Sequence, residues 1–161
     1  MTLDKGNVLA KLGSIRALEG VRAIAPSRAP DVIASATALT AQHLINSGDA
    51  RAFEAAGWHF IKDDKPSTSK AGLDVVVDSD GRLKILAHAL NVKFRPSVPR
   101  NMVENVLGRF GLSMRRNMGF SPNLFLVDDP GGDTLSTARS LNKLDDVVYA
   151  EPVLIEPIES R

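Results

Sequence analysis

The chain contains no cysteine, which excludes disulfides, thiolate metal sites and a cysteine nucleophile. Aromatic residues are scarce. One Trp, one Tyr and six Phe are spread too thinly for the base-stacking platform of an RNA-binding sheet. Neither sign of charge dominates: 20 Lys and Arg against 19 Asp and Glu leave a formal net charge of +1. Nothing in the overall field therefore calls for nucleic acid or a membrane as partner. No run approaches membrane-spanning length, and the first residues, M-T-L-D-K-G-N, lack the apolar core of a signal peptide. A cytoplasmic location is expected unless the chain has been trimmed.

Catalytic motifs are missing too. There is no G-x-S-x-G elbow, no H-E-x-x-H and no phosphate-cradling G-x-x-x-x-G-K-[ST]. His43, His59 and His88 are the candidate bases, and none stands in a motif that supplies a nucleophile and an orienting acid. Asp78-x-Asp80-Gly81 is a fragment of a calcium loop without the remaining ligands or the closing glutamate. A hairpin turn explains it better. Gly131-Gly132-Asp133 reads as a turn and helix cap rather than an anion site, and the pair Arg115-Arg116 as a solvated loop. The chain is expected to be non-catalytic, without metal or cofactor.

What is present is an ordinary globular pattern, 43% apolar and 24% charged over 161 residues, with alternating periods. Val8, Leu9 and Leu12 predict a helix over 4–12, and 21–25 a short strand. Asp31 is the candidate cap of a helix over 31–46, followed by a short helix over 50–56 and a strand at 58–61. The segment 62–72 has no apolar anchor, so 63–72 reads as a linker between an N-terminal unit, 1–62, and a second domain, 73–152. Strands at 73–77 and 82–86 flank a turn in which Gly81 supplies positive φ. A separate strand is predicted at 91–95 and a helix over 99–110 with Met102, Val106, Leu107 and Phe110 as its stripe. Strands at 112–120 and 124–127, a helix capped by Asp133, and a last strand at 147–150 complete the chain. An extended tail, 153–161, follows.

From residue 91 the order is β-α-β-β-α-β, so the expected class is α+β with a ferredoxin-like sandwich. Its core should hold Val92, Phe94, Leu107, Phe110, Leu126, Leu135, Leu141 and Val147. Two helices cover one face of such a sheet and leave the other for a partner. The heptapeptide at 7–13 matches 105–111 in residue type, and Asp31, Ile33, Ser35, Ala36 and Leu39 align with Asp133, Leu135, Thr137, Ala138 and Leu141. These matches raise the prospect of two tandem divergent copies.

Three blocks carry a resemblance to a known family: N-V-K-F-R-P at 91–96, L-F-L-V at 124–127, and A-R-S-L-N-K-L-D-D-V-V-Y-A-E-P at 138–152. They resemble the propeptide domain of subtilisin-like serine proteases, an intramolecular chaperone and inhibitor. The resemblance implies a subtilisin-like protease domain as partner, in cis or in trans, with the open sheet face on two of its surface helices and the tail in its cleft. It also implies that Glu151 caps helix N-termini of the enzyme, beside Tyr149, and that Ile158 and Arg161 enter the cleft. Val153 departs from the family, where a second acidic residue often stands. The alternative is a non-catalytic tandem ferredoxin-like interaction or regulatory module unrelated to proteases.

Overall fold

The computed structural model describes residues 4–26, 38–39, 47–62, 72–130 and 133–157. Among these residues the fold is α+β, with four helices and an open antiparallel sheet of eight strands. In chain order the elements are α1 (Lys5–Ser14), β1 (Arg16–Ile24), β2 (Ala38–Leu39), α2 (Ser47–Ala55), β3 (His59–Lys62), β4 (Leu73–Val77) and β5 (Leu83–Phe94). They continue with α3 (Arg100–Arg109), β6 (Ser113–Asn117), β7 (Leu124–Asp128), α4 (Thr134–Leu141) and β8 (Val147–Ile155). Two compact units divide the chain. An N-terminal unit comprises Ile15–Leu86 and Leu154–Arg161, and a C-terminal unit Met1–Ser14 and Ala87–Val153, whereas the sequence pattern put the break at 63–72.

In the N-terminal unit, β2, β3, β1, β4 and the start of β5 pair in that order, each pair antiparallel. The β4–β5 turn is as the sequence predicts. Gly81 has φ of +78°, and Asp78 accepts the N–H groups of Asp80 and Arg82 at 2.9 and 3.0 Å. That carboxylate is thereby engaged in the turn. Phe53 and Phe60 anchor the core with Val75, Val77, Leu83 and Ile85, and both Trp58 and Phe60 meet the Phe53 ring edge-on at 6.3 Å between centroids. Asp49, 7% exposed, accepts from Arg82 Nε and from the Leu83 N–H, both at 2.9 Å. Burial pushes its pKa up, but the Arg82 hydrogen bond, the Leu83 N–H and the Arg82 charge outweigh it, so the net shift is down.

In the C-terminal unit the strand order is β8-β5-β7-β6. Leu90 lies opposite Val127 and Val92 opposite Phe125. All four are buried and share one face, since paired residues of an antiparallel ladder point the same way. Phe94 meets Phe125 at 6.3 Å. Arg100, in the first turn of α3, lies over the Phe125 ring at 5.3 Å, which puts α3 on this face. The buried rows are Val103, Val106 and Leu107 in α3, and Leu135, Ala138 and Leu141 in α4. Asp133 caps α4 as predicted, accepting from the Ser136 N–H. α1 packs beside α4, and Lys5 Nζ donates to the Leu144 carbonyl at 2.9 Å.

Several expectations are corrected. β5 is one twelve-residue strand, not two. Its buried residues change parity near 86–89, from Leu83 and Ile85 to Leu90, Val92 and Phe94, and that phase change reads as a break in the sequence. Met102 is 42% exposed, because Val103 with Val106 and Leu107 sets the i, i+3, i+4 face that turns inward. Phe110 and Leu126 are half-buried rather than core. Leu39 lies on β2, paired with Phe60, where a helix was expected and where its aligned partner Leu141 is helical; apart from β2, 31–46 lies outside the described residues. Last, β8 reaches Ile155, so the tail begins as strand.

Candidate functional site

The stretch 141–152 is built around Asn142, which closes α4. Asn142 is 3% exposed, and its Nδ2 donates to the carbonyls of Ala138 and Ala150 at 2.8 and 2.9 Å. Its Oδ1 accepts the Ala150 N–H at 2.9 Å. One amide thus ties the helix end to β8 and satisfies two backbone groups of the strand that point away from its ladder. The Asp146 carbonyl accepts from the Arg95 N–H at 2.9 Å, which locks the start of β8 to the end of β5.

From this base β8 carries Tyr149 and Glu151, two apart and therefore on one side of the strand. Tyr149 is 7% exposed; burial first, and then the Glu151 charge, raises its pKa above the ordinary phenol value. Glu151 is half-buried, and its Oε1 lies 2.9 Å from Lys11 Nζ of α1. The carboxylate that the resemblance assigns to an enzyme's helix termini is held by this chain's own lysine. The two are separated by 140 positions, which no local pattern reveals. Ile158 and Arg161 lie outside the described residues, as do His43 and Gly131-Gly132. His59 is exposed on β3, and the His88 carbonyl on β5 accepts the Asp129 N–H at 2.8 Å.

The second feature is the other face of the C-terminal unit's sheet. Three rows cross it. Ser113 lies opposite Asp128, which lies opposite Ala89; Arg116 opposite Leu126, opposite Asn91; and Leu124 opposite Lys93. Ser113 and Arg116 are exposed, Asn91, Lys93, Leu126 and Asp128 half-buried, and Ala89 and Leu124 buried. This face is thus partly open where the opposite rows Leu90–Val127 and Val92–Phe125 are buried throughout. A groove of about 510 Å³ runs along it, lined by Ala89, Ser113, Arg115, Leu126, Asp128 and Val153 among others. The pair Arg115-Arg116 sits on edge strand β6 rather than in a loop. A register shift between Met114 and Arg116 singles out Arg115, which donates to Asp128 through Nε at 2.9 Å. Bulges and charges of this kind discourage unselective edge pairing.

The arrangement can bind a protein surface. No catalytic constellation is assembled among the described residues by Tyr149, Glu151 and Lys11. Sequence reasoning missed Lys11, which reaches Glu151 from α1, and Lys93, Arg116 and Leu126 as surface-forming residues, because only tertiary packing and strand pairing bring them to these places. The half-polar pattern of 113–117 was the available signal. No family model, no curated protein and no solved structure matches the chain.

Proposed function

We propose that the chain is a non-catalytic, propeptide-type chaperone and inhibitor of a subtilisin-like serine protease, acting in cis or in trans. One observation carries the reading. From Ala87 to Val153 the elements run β-α-β-β-α-β with strand order β8-β5-β7-β6, which supports reading this unit as a ferredoxin-like sandwich. Its helices bury one face and leave the other open for docking. The reading is confined to the C-terminal unit, since Leu39 lies on a strand where a second copy requires a helix. Glu151 reaches the protease's helix termini by exchanging Lys11 for backbone N–H groups. An exposed ion pair is worth about 0–1 kcal/mol, comparable to the roughly 0.3–2 kcal/mol of a carboxylate at a helix N-terminus.

The Lys11–Glu151 pair also favours the second reading, an interaction module unrelated to proteases, because it gives Glu151 a role within the chain. Steady-state hydrolysis of a peptide substrate by a panel of subtilisin-like proteases separates the two. Inhibition at micromolar chain, with no hydrolysis by the chain itself, is the expected outcome. Absence of inhibition across the panel leaves the interaction module as the better account.

A further inference from the structure

Phe120 is 77% exposed, an unusual position for a large aromatic side chain. It stands in the β6–β7 turn, which is held by backbone and side-chain bonds. The Met118 N–H donates to the Leu124 carbonyl at 2.9 Å, the Phe120 N–H to the Met118 carbonyl at 2.8 Å, and the Gly119 N–H to Asn117 Oδ1 at 3.0 Å. The aromatic ring is therefore presented by an ordered turn. Asn123 anchors the far side, its Nδ2 donating to the carbonyls of Arg95 and Val98, both at 2.9 Å.

The Met118–Leu124 bond extends the open-face ladder by one row. Met118 and Leu126, both half-buried, supply the apolar surface here above the buried Leu124, with Arg116 at one side and Lys93 at the other. Neither cation has a carboxylate partner among the described residues. The Arg116 guanidinium meets the Met118 thioether at 3.8 Å. Arg115, by contrast, is satisfied by Asp128. An exposed aromatic at the adjoining turn, half-buried apolar side chains and two cations without a carboxylate partner among the described residues form the composition that concentrates binding energy at protein interfaces.

We infer that this end of the open face docks an acidic protein surface, with Phe120 entering an apolar pocket and carboxylates of the partner pairing with Arg116 and Lys93. The inference rests on the proposed partner-binding role and adds the partner's chemistry. A second copy of the chain is a poor occupant, because two-fold docking brings like charges together. A bilayer is poor as well, since anionic lipid recognition by basic residues takes clusters of about four to eight of them.

The test uses the full chain labelled with nitrogen-15, titrated with a synthetic Glu/Leu amphipathic peptide, its Lys/Leu counterpart and phosphatidylserine vesicles. The acidic peptide should shift the amides of Lys93, Arg116, Met118, Phe120 and Leu126 and weaken with added salt. Phe120→Ala should reduce its affinity at least about fivefold. The double variant Lys93→Glu/Arg116→Glu should prefer the Lys/Leu peptide. Since all three side chains are at least partly exposed, an unchanged circular dichroism spectrum verifies the variants. Equal response to both peptides, response to vesicles alone, or concentration-dependent self-association through this face overturns the inference. Protease inhibition by the same variants keeps the two ideas apart. Inhibition unaffected by Phe120→Ala and the charge reversal sinks this inference alone, and selective acidic-peptide binding without inhibition sinks only the protease reading.

Discussion

Replacing Asn142 tests the physical account of the stretch that ties α4 to β8. In Asn142→Ala the Ala138 carbonyl keeps the backbone N–H of residue 142, now at 3.1 Å, so its loss is small. The N–H and carbonyl of Ala150, 0% exposed, both lose their partner. Leaving a buried backbone group unpaired costs about 1–3 kcal/mol, so with two such groups the variant should lose about 2–6 kcal/mol, a large part of the roughly 5–15 kcal/mol that holds a domain together. Asn142→Asp sharpens the test. A carboxylate cannot donate to the Ala138 and Ala150 carbonyls, so the folded state favours its protonated form and raises its pKa above the unfolded value. The variant's deficit should then be smallest below about pH 4 and grow as pH rises through the folded pKa. Urea unfolding followed by circular dichroism measures the loss, and hydrogen exchange at the Ala150 amide locates it. A loss under about 0.5 kcal/mol for Asn142→Ala, with Ala150 protection unchanged, refutes the reasoning.

Four further outcomes are expected. Gly72→Ala should destabilise the N-terminal unit by about 1–3 kcal/mol or more by thermal unfolding, because φ there is +83° and the added Cβ stands 2.5 Å from the Ala23 carbonyl oxygen. Asp49→Asn should lose about 1.5–3 kcal/mol at neutral pH. As the folded pKa lies below the ordinary 3.8, the parent's advantage is full above that value and disappears as pH falls through the folded pKa, which acid unfolding monitored by Trp58 fluorescence can follow. Glu151→Ala should weaken protease binding by at most about 2 kcal/mol, and Lys11→Ala should strengthen or leave it unchanged; an inhibition constant insensitive to Glu151 removes the capping role. Truncation after Pro157, which keeps Ile155 packed on its core but removes Ile158 and Arg161, should abolish inhibition and spare binding. Full inhibition by the truncated chain refutes the cleft-filling tail.

What the sequence determined by itself is local. Asp78 through Gly81 dictate a turn because the carboxylate and the positive φ act within four residues, and Asp133 starts α4 because its oxygen reaches only the next turn. The Leu141–Asn142 helix stop and the β-branched entry to β8 follow from the same short-range chemistry, as does the β-α-β-β-α-β order after residue 91. Tertiary structure decided the rest. Whether 87–90 interrupts β5 depends on what covers each face, which the parity change alone cannot say. The choice of Val103 over Met102 for the inward row of α3 depends on the sheet beneath it. Lys11 finds Glu151, and Arg116, Leu126 and Asn91 form one row, only after strands far apart in the chain have paired. Such contacts form because apolar faces must be buried together, and the polar residues carried to the opposite side become neighbours as a consequence of that packing.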